Sequence, residues 1–184
     1  MMRRLTIAVA SLAVLALMSQ SALAASVHWK HGSPQFTDNG LTLTETGTLA
    51  GLGTGSGADV TLTATANPTA ECVNPGTGGH RPPGQNPAPV TVTGSQHLNP
   101  HEIKHNGNAS YSVTTDAPTT PIAGAPDCNN SPGDNGWEEQ ILDMAFTSAT
   151  LTVVQNGVTV FDAPKSTCTF DPATSDGPVT SFSC

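Results

Sequence analysis

Apolar and polar residues alternate one for one over long parts of this chain, and a period of two predicts strands. Val60-Thr61-Leu62-Thr63-Ala64-Thr65-Ala66 puts aliphatic side chains on one face and threonines on the other, as in a half-buried strand of an antiparallel sheet. Leu41–Thr44 repeats the pattern after a turn at Asp38-Asn39-Gly40, and Val90–Thr93 and Ser110–Thr114 repeat it again. β-branched residues suit such pleated surfaces. The Val60 strand is expected to stop at Asn67-Pro68, because proline brings no N–H to a ladder. Glu138–Phe146 reads two ways. Leu142, Met144 and Phe146 alternate as in a strand, whereas Trp137, Ile141 and Met144 fit a helical stripe. Running directly into the strand at Thr147, the segment is expected to be extended. A bulge is expected near Ser148, where the apolar phase switches from even to odd positions.

The last quarter predicts two consecutive hairpins. Asn156-Gly157 lies between Val/Thr-rich runs, and a type I′ turn needs positive φ at both central residues. That turn sets Gln155 opposite Val158 and Val153 opposite Val160, with Leu151, Val153, Val158 and Val160 on one face. In the final hairpin, Cys168 and Phe170 are two apart, as are Phe182 and Cys184. Pairing the cysteines places the phenylalanines opposite each other, so one register satisfies a disulfide and an aromatic pair together. Gly51–Gly57 and Asn74–Pro89 read as loops on composition. One short helix is expected at Pro100–Asn106, with Asn99 as N-cap, Glu102 at the capping-box position and Gly107 closing it.

Seven or eight short strands with turns between them make an all-β chain, an antiparallel β-sandwich that is immunoglobulin-like in the broad sense, with at most one short helix. The antibody arrangement is absent, since no Trp lies midway between two inter-sheet cysteines. Residues 1–24 read as a cleaved export signal, leaving 25–184 as one sandwich domain. Arg3 and Arg4 make the charged start, Leu5–Leu17 the apolar stretch and Ala22-Leu23-Ala24 the small-residue cleavage site. No span long enough for a membrane follows it. Export places the protein in the extracellular space or a periplasm, where Cys72, Cys128, Cys168 and Cys184 pair as two disulfides. Three connectivities are open to four cysteines. The register argument favours Cys168–Cys184 and so leaves Cys72–Cys128.

Three stretches carry a resemblance. Ala70-Glu71-Cys72-Val73-Asn74-Pro75-Gly76, Pro83-Gly84-Gln85-Asn86-Pro87 and Met144-Ala145-Phe146-Thr147-Ser148-Ala149-Thr150 are similar to segments of small secreted bacterial β-sandwich proteins with no assigned activity. The resemblance implies export and fold, and its motifs are structural.

Charge narrows the partners. The chain has a formal charge of −8, and loss of Arg3 and Arg4 with the signal leaves four basic residues against fourteen acidic ones, or −10. Such a surface repels phosphate backbones and anionic lipid, which sets nucleic acid aside. Asp127, Asn129, Ser131, Asn135 and Glu138 fall at positions 1, 3, 5, 9 and 12 of a calcium-loop pattern. Pro132 occupies the place that requires Gly, Cys128 is tied by a disulfide, and these residue types are also what turns are made of. Turn chemistry is the favoured reading, with calcium the only cofactor considered beyond weak transition-metal binding. His101 and His105 would share a face of the expected helix, with His97 outside it. His28 would complete a copper chelate only if the mature chain began at Ser26. No G-x-S-x-G, H-E-x-x-H or Cys–His arrangement appears. Adjacent Glu138 and Glu139 point to opposite faces of a strand and cannot form a glycosidase pair, although Asp143 lies nearby. Trp29, Trp137 and Tyr111 are the candidate sugar platforms. The expectation is a non-catalytic structural or interaction module meeting a protein or cell-surface partner. Its contact surface would be the Thr-rich face or the Gly/Pro loops, or it would self-associate by lending Val27–Phe36 as a strand to a neighbour.

Overall fold

The computed structural model describes residues 26–74, 79–81, 87–123, 128 and 136–184. The expected signal therefore lies outside the described residues, as do Asp127, Asn129, Ser131 and Asn135. Strands follow in the order β1 (His28–Trp29), β2 (Gln35–Asp38), β3 (Leu43–Ala50), β4 (Ala58–Asn74), β5 (Gly79–Arg81), β6 (Val90–Leu98), β7 (Ala109–Thr114), β8 (Glu138–Gln155), β9 (Val158–Phe161), β10 (Thr167–Thr169) and β11 (Gly177–Val179).

They form two antiparallel sheets. In the first, β3 has β7 on one flank and β1 and β2 end to end on the other, with β11 beyond β2. In the second, β4 and β8 pair from Ala58–Gln155 to Val73–Glu138. β6 and β5 lie along the free flank of β4, and β9 and β10 along that of β8. The inner faces of the two sheets enclose one apolar core that includes Leu43, Leu49, Val60, Leu62, Met144, Phe146, Leu151 and Val153. This is the expected β-sandwich.

Burial alternates without a break from Ala58 to Cys72, straight through Pro68, so the expected stop at Asn67-Pro68 does not occur. The β4–β6 ladder ends at Ala66–Val90. Past that point β6 asks nothing of β4, and a residue without an N–H can stay in the strand. On β8 the partner jumps from Ser148 to Phe146 between Thr65 and Ala66, which makes Thr147 the extra residue beside the expected position. A second jump, from Asp143 to Ile141, makes Leu142 extra. Each bulge flips the phase. The inward set becomes Ile141, Met144, Phe146, Ala149, Leu151 and Val153, while Leu142 is 46% exposed.

The Asn156-Gly157 turn has the required positive φ values, 54° and 75°, and Gln155 faces Val158. A bulge then sets Phe161, not Val160, opposite Val153. Phe161 is buried and meets the Trp29 ring edge-on at 5.1 Å, whereas Val158 is 61% exposed. Deeper burial of a large ring outweighs a regular hairpin.

Both disulfides form as expected, Cys72–Cys128 and Cys168–Cys184. Thr169 and Ser183 exchange two backbone hydrogen bonds of 2.8 and 3.0 Å, which fixes the proposed register. The closing segment is more than a hairpin, because β11 leaves to pair with β2 in the other sheet. The tail thus spans both layers. Phe36 of β2 packs edge-on against Phe170 at 5.0 Å and Phe182 at 5.1 Å.

Two further expectations change. Residues 100–106 form successive turns and not a helix. Glu102 does accept the Asn99 N–H at 2.7 Å, but Gly107 bonds back to Lys104 and Lys104 to Asn108. A nucleus of one turn with no continuation is unstable as a helix. Part of the loop expected at Asn74–Pro89 is strand, since β5 pairs Cys72–Asn74. Val27–Phe36, one of the surfaces offered for self-association, pairs within this chain through β1 and β2, and β1 stays at the sheet edge.

Gly94 of β6 lies where the two sheets converge. A Cβ there would come within 1.9 Å of the Thr114 carbonyl oxygen, and Asp116 N donates to Thr93 O at 2.8 Å beside it. Gly94→Ala must therefore prise β6 from the end of β7. The expected loss is about 3 kcal/mol of unfolding free energy, the upper part of the overpacking range, read from the midpoint and slope of urea denaturation.

Candidate functional site

The alternation that buries Leu43 and Leu49 on β3 also points Glu45 and Gly47 inward, and on β7 it points Tyr111 inward between Ala109 and Val113. Gly47 is the register partner of Tyr111. The Tyr111 side chain lies across it so closely that a Cβ on Gly47 would sit 2.8 Å from the phenol oxygen. This lets the phenol donate to Glu45 Oε1 at 2.5 Å while it accepts from Trp29 Nε1 at 2.8 Å. Trp29, Tyr111 and Glu45 thus form a chain of hydrogen bonds running from β1 into the core, where Glu45 is 1% exposed. Burial pushes the Glu45 carboxyl up to about 7, against the opposing pull of hydrogen bonds from Tyr111 and Trp29. Tyr111 is pushed up by burial, with the neighbouring carboxylate adding to it.

A second acid, Asp38 on β2, also faces inward. It accepts from the Thr174 hydroxyl at 2.5 Å and the Gly40 N–H at 2.9 Å. Burial raises its carboxyl despite those bonds, and Asp143 and Asp176 add to the rise. Thr174 in turn accepts from Phe146 N at 2.8 Å and donates its own N–H to Phe146 O at 2.9 Å. This acid joins β2, the tail and β8.

The outer face of the β4–β8 sheet is of opposite character. Register sets Thr91, Thr65, Ser148 and Thr169 in one rank, Thr93, Thr63, Thr150 and Thr167 in the next, and Ser95, Thr61 and Thr152 in a third. Neighbouring strands lie about 4.8 Å apart and alternate residues about 6.7 Å apart, so the hydroxyls and methyls form a neutral grid. Thr150 and Thr167 are hydrogen-bonded at 2.9 Å. At one end of the grid exposed His97 and Asp59 meet at 2.6 Å, and at the other the register runs on to Thr69–Asp143 and Glu71–Gln140.

The other expected site residues are dispersed. Glu138 opens β8, exposed and opposite Val73. Its neighbour Glu139 accepts the Ile122 N–H at 3.0 Å. His101 and His105 are exposed on separate turns and share no helix face. His28 lies in β1 with Nδ1 2.7 Å from the Ser26 carbonyl. Trp29 and Tyr111 meet through the indole N–H, Tyr111 buried and Trp29 half-buried against the core. Among the described residues, no group of three or more His, Cys, Asp and Glu side chains could hold a metal. Glu45 was missed in sequence, although its signal was there. It keeps phase with Leu43 and Leu49, so the period of two already assigns it to the inner face.

No family model, curated protein or solved structure matches this chain.

A carboxyl whose folded pKa lies above its unfolded value of 4.5 binds its proton more tightly in the folded state. Its contribution is present in full below pH 4.5 and is lost as pH rises through 7. The loss amounts to about 3 kcal/mol at pH 8. Glu45→Gln keeps the acceptor and removes the titration. Denaturant unfolding at pH 5 and pH 8 should show wild type losing most of that stability and the Gln variant losing little of it.

Proposed function

We propose that the protein is an exported structural or interaction module, non-catalytic and immunoglobulin-like in the broad sense, that meets a protein or cell-surface partner through its hydroxyl-rich sheet face. The observation that carries this reading is the neutral Thr/Ser grid across β6, β4, β8 and β10. An acidic chain with such a face presents a partner with aligned hydroxyls and methyls at no charge-desolvation cost. Two disulfides support an oxidising compartment. No helix among the described residues is long and apolar enough to cross a membrane. Each ionisable side chain buried in the core is held by partners from its own fold, Glu45 by Tyr111 and Asp38 by Thr174 and Gly40.

Cell fractionation followed by cross-linking tests the proposal. The protein should appear outside the cytoplasm with no free thiols, and a discrete cross-linked partner should be lost when Thr63 and Thr150 are both changed to Lys. Recovery in the cytoplasm, or cross-linking indifferent to those substitutions, overturns the proposal. Heat on calorimetric titration with calcium that is abolished by Glu138→Gln would move the contact to residues 127–138 instead.

A further inference from the structure

We propose that the N-terminal strand β1 is a pH-dependent latch, closed over the buried Glu45 carboxyl through Trp29 and Tyr111 and released when that carboxyl loses its proton. β1 is held by the shortest ladder in the first sheet, the pairs His28–Ala50 and Trp29–Leu49. Around it are the Lys30 N–H to Thr48 O bond at 2.8 Å, buried Val27, the Trp29–Phe161 ring contact and the indole bond to Tyr111. The turn at Lys30–Pro34, with Gly32 at φ 84°, separates it from β2. β1 can therefore swing away while Gln35–Asp38 stays paired to β3 and β11.

The interior gives an ionised Glu45 little help. From β7 it meets Tyr111 and from β1 the indole of Trp29, while its partner across the ladder on β2 is Phe36. The neighbouring inward acid, Asp38, is engaged by Thr174 and Gly40 and feels Asp143 and Asp176. The facing sheet presents apolar side chains and Gln155, which is bonded to Gly53. The ionisable residues of the latch and its turn, His28, Lys30 and His31, are exposed. No cation from any of these elements meets the carboxylate. Water is the remaining source of solvation, and the shortest way to admit it is to lift the two-residue strand whose indole ends the hydrogen-bond chain. The open form returns the carboxyl toward its ordinary value. By linkage, opening of β1 becomes about 70-fold more favourable between pH 5 and pH 8 if rehydration is complete.

Amide hydrogen exchange of the purified protein, corrected for intrinsic rates, measures this directly. In wild type, exchange at Lys30, whose N–H is the one bonded to Thr48 O, should rise some tens-fold from pH 5 to pH 8 relative to Leu62 in β4, and in Glu45→Gln it should stay level with Leu62. An equal rise in both proteins, or no excess over Leu62 in wild type, overturns the latch. A second readout needs no variant. The Trp29 indole N–H resonance and the Glu45 carboxyl carbon should titrate with one midpoint near 7, and a Trp29 signal that stays flat while Glu45 titrates also overturns it.

Discussion

The pairing of β4 with β8 is the constraint on which the rest of the molecule depends. These are the two longest strands, Ala58–Asn74 and Glu138–Gln155, and they lie side by side over nearly their whole length. Each supplies the other's inner-face neighbours, Val60 beside Val153, Leu62 beside Leu151 and Ala64 beside Ala149. A slip of one residue would send an entire apolar row to solvent, so the register is fixed by burial. The two bulges on β8 are part of that bargain. Without Thr147 and Leu142 as extra residues, Phe146, Met144 and Ile141 could not all face inward beside the unbroken alternation of β4. Every other strand of the second sheet hangs on the outer flank of this pair.

The first sheet is built differently. Its strands are shorter, its inner face carries two carboxyls, and it is tied to its partner layer mainly through the chain's closing segment. β11 adds to β2, while the residues just after it return to β10 for the Thr169–Ser183 exchange and the terminal disulfide. Phe36 wedges edge-on between Phe170 and Phe182 at that junction. The geometry suits ring quadrupoles and seals the end of the core. The Thr174–Asp38 bond lies close by in the chain, so the clasp combines covalent, aromatic and polar ties.

Legibility in the sequence followed how local each decision was. The Thr/aliphatic alternation of Val60–Ala66, the Asn156-Gly157 turn, the Ser148 bulge and the Cys168–Cys184 register were all readable. Each rests on a period or spacing within a few residues. The continuation of β4 through Pro68 was not, because it depends on where β6 stops, a fact held some twenty residues away. The Leu142 bulge and the exchange of Phe161 for Val160 depend on which side chain fills the core better, a question of volume and not of period. The Pro100–Asn106 helix failed although its cap was correctly identified, since Glu102 does bond to Asn99. A cap stabilises a helix that other contacts sustain, and here turn closure at Gly107 prevailed. The Thr-rich face was legible strand by strand, but its ranks needed the register of four strands. The calcium-loop residues before Glu138 lie outside the described residues.

Composition explains why the interior acid takes the form it does. With six Lys and Arg against fourteen Asp and Glu in the whole chain, a buried carboxyl cannot count on a basic partner. A neutral proton donor is the alternative, and the Gly47 notch that admits the Tyr111 ring provides one. A salt bridge would have held the carboxylate ionised and its pKa low, whereas a phenol leaves the proton's position to the pH of the surroundings. The indole that ends the chain of hydrogen bonds also packs edge-on against Phe161. The same scarcity of cations that denies Glu45 a basic partner thus leaves the inner acid sensitive to pH, and places that sensitivity beside the least anchored strand of the sandwich.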